Sequence, residues 1–195
     1  LDLETGDPVL DALSAAAKNN AAQGYDYVAA PASAELLFLR HMPDNALKPY
    51  FNILRTVVLT SRHEMDPDMM VEASLKLDVH GKVEHTAAGG FGPVHALDRA
   101  LRRALTRWYP ELEQMHLIDY KVRVLSPTRT NIPEAEDENG TGSNVRVLIE
   151  SSDGVATWTT VGVSYNIIEA SLEALADAVT YKLYKTEQAR WRAEC

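Results

Sequence analysis

The stretch Val71-Glu72-Ala73-Ser74-Leu75-Lys76-Leu77-Asp78-Val79-His80-Gly81-Lys82 decides the fold. Five apolar residues, from Val71 to Val79, alternate with polar ones. That is the period of a strand buried on one face. His80-Gly81-Lys82 reads as a turn, and Val83 to Ala88 returns the chain as the second arm of a hairpin. Upstream, Phe51 to Thr60 is rich in strand-forming residues. Downstream, Gly89-Gly90-Phe91-Gly92-Pro93 leads into Val94, Leu97, Leu101, Ala104, Leu105 and Trp108. Their spacing predicts an amphipathic helix that Pro110 ends.

The same order is then written again. Ile118, Tyr120, Val122 and Val124 alternate, as do Val145, Val147 and Ile149. Ser152-Asp153-Gly154 turns, and Val155 to Val163 returns. Asn166 stands where a helix cap belongs, with Glu169 following as in a capping box. Ile168, Leu172, Leu175, Val179 and Leu183 carry the helical stripe. His85-Thr86-Ala87-Ala88-Gly89 aligns with Trp158-Thr159-Thr160-Val161-Gly162. After one residue of slip, Ala100-Leu101 aligns with Ala174-Leu175 and Ala104-Leu105 with Ala178-Val179. The expected fold class is α+β: two strand-hairpin-helix (βββα) units, at 49–110 and 116–185, within a domain at 49–185. Their helices are expected to pack on one face of a joined antiparallel sheet.

Residues 1–48 read as a small helical linker subdomain. Asp7-Pro8 starts a helix, Val9, Leu13, Ala16 and Ala17 follow at helical spacing, and Gly24 stops it. A second helix runs from Ser33 to His41, and Pro43 and Pro49 bracket a connection. Ser126 to Ser143, with Glu134, Glu136, Asp137 and Glu138, reads as a solvated acidic loop. Residues 186–195 are assigned to a C-terminal tail.

A net charge of −9 without clustered Lys and Arg argues against a nucleic-acid surface and against docking on anionic membranes. No apolar run approaches the roughly 20 residues of a membrane span. Leu1-Asp2-Leu3-Glu4-Thr5-Gly6 has neither the basic nor the apolar region of a signal peptide, and it lacks an initiator Met. A chain cut from something longer is therefore expected. Its single cysteine, Cys195, favours a reducing, cytoplasmic setting.

Catalytic signatures are missing: there is no G-x-S-x-G, no P-loop and no C-x-x-C. His41, His63, His80, His85, His95 and His116 form no ligand pattern. His80 and His85 flank a turn but lack the further ligands a metal needs. No catalytic residue, metal site or cofactor is therefore expected. Gly89-Gly90-Phe91-Gly92 follows a hairpin strand and is no dinucleotide loop. It is either a tight turn into a helix or a place where backbone amides receive a carboxylate.

Ile118-Asp119-Tyr120-Lys121-Val122-Arg123-Val124-Leu125, Val145 through Gly154, Trp158 through Ser164 and Asn166 through Ser171 closely resemble the C-terminal regulatory domain of citramalate synthases. These enzymes are relatives of 2-isopropylmalate synthase. His85 to Ala88, Gly92-Pro93-Val94 and Ala96-Leu97-Asp98 match the signature of the first unit. Gln23-Gly24-Tyr25, Ala32-Ser33 and Glu35-Leu36-Leu37 match the helical linker before it.

The resemblance implies a parent acyltransferase whose N-terminal TIM barrel condenses acetyl-CoA with a 2-oxo acid, using a divalent metal. None of the barrel's metal-binding motifs stands here, so the fragment is expected to be non-catalytic, with the metal confined to the barrel. The implied partners are a second copy, as a homodimer, the barrel of the same parent, and a branched-chain amino acid. That effector is isoleucine in citramalate synthases and leucine in isopropylmalate synthases, each a pathway end product acting by feedback inhibition. The effector-binding residues it points to are Gly90, Gly92, Pro93, Val94 and Leu97, with Val163, Ser164, Asn166, Ile167 and Ile168. Three departures stand out, the first being an acidic loop at 126–143 that is longer than usual. Phe91 occupies a position that is usually small or polar, where a ring narrows the implied pocket. Tyr165 replaces a common Glu, removing an ammonium partner. The alternatives are a leucine-sensing domain of a 2-isopropylmalate synthase and a dimerisation module that has lost effector binding.

Overall fold

The alternation at 71–79 forms the central strand of a three-stranded sheet. The computed structural model describes residues 8–42, 47–63, 66–125 and 143–194. The Asp7 cap, Pro43, the acidic loop at 126–142 and Cys195 lie outside the described residues. In chain order the elements are α1 (Pro8–Gln23), α2 (Pro31–His41), β1 (Asn52–His63), β2 (Asp66–Val79), β3 (Lys82–Gly90), α3 (Pro93–Leu105), a 3-10 turn (Pro110–Gln114), β4 (His116–Val124), β5 (Val145–Ser152), β6 (Thr157–Ser164) and α4 (Ile167–Glu194). They fall into two compact units. One, the α3 unit, is Lys48–His116 with Lys182–Cys195. The other, the α4 unit, is Leu1–Leu47 with Leu117–Tyr181.

In the α3 unit, β1, β2 and β3 pair antiparallel in that order. Val71, Ala73, Leu75, Leu77 and Val79 are buried beneath Ala96, Leu97, Ala100, Leu101, Ala104 and Leu105 of α3. Each buried leucine contributes about 1.5–3 kcal/mol by leaving water. The row Ala96, Ala100, Ala104 lets the helix lie low on the sheet. At Gly90 the approach is closest, because a Cβ built there would stand 2.4 Å from the Ala96 amide nitrogen. The hairpin turns through His80 (φ 53°) and Gly81 (φ 79°), the two positive φ angles of a type I′ turn. The left-handed conformation costs His80 about 1–2 kcal/mol. Its Nε2 hydrogen-bonds the Tyr109 hydroxyl at 2.8 Å, and its ring lies against Trp108 and Tyr109, which offsets the strain.

The α4 unit repeats this plan around β4, β5 and β6. Val147 and Ile149 are buried, as are Ala170, Ala174, Leu175, Ala178 and Val179 of α4. Equivalent features recur at one constant spacing. Val71 pairs with Gly90 as Val145 pairs with Ser164. The Thr86 hydroxyl donates to the Ala100 carbonyl at 2.9 Å, and that of Thr160 to the Ala174 carbonyl at 2.7 Å. Thr86 therefore corresponds to Thr160, not Thr159, and the slip expected from sequence does not occur. The hydroxyl-to-carbonyl bond holds strand and helix in one phase in both copies.

Three further expectations are corrected. The strands form two separate three-stranded sheets rather than one joined sheet. Each sheet already buries its apolar face beneath its own helix. The last strand begins at Thr157, not Val155, because the Asp153 carboxylate accepts the amides of Val155 and Ala156 and keeps them in the turn. Residues 186–194 continue α4, since no Gly or Pro interrupts the chain from Ile167 to Glu194. The linker helices form as read, with Gly24 (φ 113°) ending α1 and α2 starting at Pro31.

The two copies fill one register position differently. Leu77 faces Glu84, whereas Ser151 faces Trp158. The small serine leaves room for the indole, whose Nε1 donates to the Ala178 carbonyl at 3.1 Å. The buried Ser151 hydroxyl has no hydrogen-bond partner among the described residues.

Gly90→Ala is expected to destabilise the fold by about 1–3 kcal/mol, because backbone atoms of α3 must shift. Gly89→Ala, whose Cβ would meet only the Val71 carbonyl at 3.7 Å, is expected to stay within about 0.5 kcal/mol of wild type. Urea denaturation of the two variants checks the contrast, and equal losses would refute it.

Candidate functional site

The first five residues singled out in the sequence meet at the turn into α3. Gly92 is the N-cap residue, in extended conformation, and no side chain among the described residues caps the first turn. The first intrahelical bond runs from the Ala96 amide to the Gly92 carbonyl at 3.0 Å. Pro93 has no amide hydrogen, so Val94 and His95 present the forward-pointing donors. His95 Nδ1 accepts the Phe91 amide at 3.2 Å, and the two rings stack at 5.3 Å. Phe91 is 98% exposed, so its ring lies out in solvent beside the turn. Leu97 is wholly buried, so it backs the turn from the core.

The other five meet at the turn into α4, which is finished differently. Asn166 Oδ1 accepts the Ile168 amide at 2.8 Å, a side-chain cap. Ser164 Oγ accepts the Asn166 amide at 3.0 Å and donates to Glu169 at 2.6 Å. The reciprocal half of the expected capping box thus comes from Ser164 rather than Glu169. Val163 is half-buried, and Ile167 is 42% exposed, an apolar side chain at the open end of the helix. On the β4 side, the Tyr120 hydroxyl hydrogen-bonds Ser171 at 2.9 Å, and Ser171 donates to the Ile167 carbonyl at 2.6 Å.

Alongside this turn lies a polar network that motif reading did not find. Glu173 accepts the Tyr25 hydroxyl at 2.6 Å and the Val163 amide at 3.1 Å. Burial pushes the Glu173 carboxyl above its ordinary value despite both bonds. Burial, then the bond to Glu173, raises the Tyr25 phenol. One turn on, Asp177 receives Arg40 at 2.5 Å and the Ser33 hydroxyl at 3.2 Å. Ser33 in turn accepts the Val161 amide at 3.0 Å. Helix α2 thereby closes the outer edge of β6. The residues occupying the places of Glu173 and Asp177 on α3 are Arg99 and Arg103, a reversal of charge within the repeat. Only the matching of Ala100 to Ala174, already legible in the sequence, gave access to that pairing.

Apolar side chains also face outward on the first strand of each sheet: Leu54, Val57 and Leu59 on β1, and Ile118, Val122 and Val124 on β4. Among the described residues, no group of His, Cys, Asp or Glu is placed to hold a metal ion. No helix among them is long and apolar enough to cross a membrane.

Residues 29–183 match the family described as the LeuA allosteric (dimerisation) domain. The chain is 44% identical over 188 residues to an (R)-citramalate synthase of Aquifex aeolicus, covering 96% of this chain and 33% of that protein. An (R)-citramalate synthase of Geobacter sulfurreducens is 42% identical over the same length and the same shares. A 2-isopropylmalate synthase of Aquifex aeolicus is 29% identical over 137 residues, 70% of this chain and 23% of that protein. The chain spans about a third of the length of the citramalate synthases it matches.

Two outcomes follow from the α4 turn. Asn166→Ala is expected to cost about 1 kcal/mol in thermal or urea unfolding, the usual loss for an N-cap. A loss below about 0.3 kcal/mol would remove the cap from the account. For Glu173, the raised value means that the folded chain holds this proton more tightly than the unfolded chain. The stability this adds is present in acid and is lost as pH rises through the raised folded value. The permanently neutral Glu173→Gln lacks that component. Wild-type stability measured relative to the variant should therefore decline as pH rises above the ordinary glutamate value of about 4.3, and a rising difference would contradict the burial of the charge.

Proposed function

The chain belongs to the LeuA allosteric (dimerisation) domain family, and on that premise we propose that it is the effector-sensing part of a citramalate synthase. The parent enzyme condenses acetyl-CoA with a 2-oxo acid in a catalytic barrel that contains the divalent metal. This domain joins two subunits and binds isoleucine for feedback inhibition, in the cytoplasm. The greater identity to citramalate synthases than to a 2-isopropylmalate synthase favours isoleucine over leucine.

The observation that carries the sensing role is the uncapped turn into α3. Among the described residues no side-chain acceptor meets its amides at Val94 and His95, and the helix dipole adds partial positive charge there. A carboxylate is the group such a turn receives. At the corresponding turn of α4 the cap position is already filled by Asn166, and Ile167 is 42% exposed. The outward apolar rows on β1 and β4 suit association with a second copy, which removes them from water.

A second reading, a dimerisation module without an effector, draws on Phe91 and Tyr165. The Phe91 ring stacks on His95, at the lip of the same turn.

Titration calorimetry with isoleucine, leucine and valine tests the proposal. Saturable heat with isoleucine is expected, and sedimentation should report a dimer. Gly92→Asp supplies the missing cap, so it should hold or slightly raise stability while abolishing isoleucine binding. Silence with all three amino acids would end the sensing role. Heat regained only in Phe91→Asn would establish that the ring blocks the site.

A further inference from the structure

The duplicated unit has its outer strand edge covered in one copy and left open in the other. In the α4 unit, the outward amides of β6 at Val161 and Val163 are met by Ser33 and Glu173. Helix α2 lies over that edge, with Arg40 on Asp177. In the α3 unit the corresponding edge is β3. Arg99 donates to the Gly89 carbonyl at 2.8 Å, and Arg103 to the Ala87 carbonyl at 3.4 Å. By the same register the amides of Ala87 and Gly89 point out of the sheet, and no side-chain acceptor meets them among the described residues. Both arginines are exposed, and neither forms an ion pair among the described residues. A cleft of about 350 Å3 lies along the edge, lined by Ala87, Ala88, Gly89, the two arginines and Glu72.

We propose that this cleft is the docking site for an acidic segment of the parent protein outside this chain, whose carboxylates, one helical turn apart, pair with Arg99 and Arg103. The same segment supplies a side-chain oxygen to the amides of Ala87 and Gly89. Two observations select this occupant. The equivalent edge is covered by a helix of the same polypeptide through a basic-to-acidic contact, and here the polarity is reversed, so the complement is acidic. The citramalate synthases in which this region is found are about three times as long, so most of their chain lies outside it. A second copy is a poorer occupant, because its own carboxylate pair, Glu173 and Asp177, is already engaged by α2 and Tyr25. The inference rests on the reading of the chain as part of a synthase but not on effector binding.

Residue-resolved hydrogen exchange on this chain alone and on the full-length parent, at equal concentration, tests the proposal. The amides of Ala87 and Gly89 should exchange at least about ten-fold more slowly in the full-length protein. The double variant Arg99→Glu, Arg103→Glu should lose that protection while keeping the core amides of β2 protected, which separates undocking from unfolding. Equal rates in the two proteins would overturn the proposal. So would protection that survives charge reversal, or protection already present in this chain alone that grows with concentration, which would assign the edge to a second copy. Failure to bind isoleucine would leave these rates unchanged.

Discussion

Everything in this fold depends on how closely a helix can lie on a three-stranded sheet. In both copies a threonine hydroxyl from the third strand reaches a carbonyl in the helix, Thr86 to Ala100 and Thr160 to Ala174. That bond exists only if the helix backbone is near the strand, and alanine rows together with one glycine on each strand bring it there. The glycines differ in position. Gly90 makes the contact in one unit and Gly162 in the other, where a Cβ would stand 2.0 Å from the Ala170 carbonyl. The phase set by the threonine places the turn into each helix, and with it the amides of the first helical turn.

Most of the scaffold was legible in the residues because it is written in periodicity. The alternation from Val71 to Val79 and the helical stripe from Leu97 to Leu105 map directly onto buried faces. The β1 and β4 strands were legible as strands, but the sense of their apolar rows was not. Alternation marks a face without saying what covers it, and Val57 and Val122 face outward within the chain. At the site, Asn166 was recognisable as a cap from its local sequence. Glu173, Tyr25, Ser33 and Asp177 were not, since their contacts join residues more than a hundred positions apart. No local pattern encodes such a network.

A duplicated unit has a problem of address. Two similar surfaces compete for any segment that binds one of them, and specificity requires a penalty at the wrong one as well as a gain at the right one. Here the penalty is electrostatic. Arg40 of α2 finds Asp177 on one copy, whereas the equivalent position on the other carries Arg103. The network around Glu173 tolerates a carboxylate in partial burial because two donors, Tyr25 and Val163, meet it.

The contrast between Leu77 facing Glu84 and Ser151 facing Trp158 bears on how such a repeat can change over time. Both pairs fill their space, but neither partner can be exchanged alone. A leucine facing a tryptophan is overcrowded, and a serine facing a glutamate leaves a hollow beside a charge, so each single step passes through a less stable protein. Recombination between the two halves of the gene, with a breakpoint between the paired positions, would produce these mismatched combinations. The packing at one register position is thus a barrier to making the two copies alike one residue at a time.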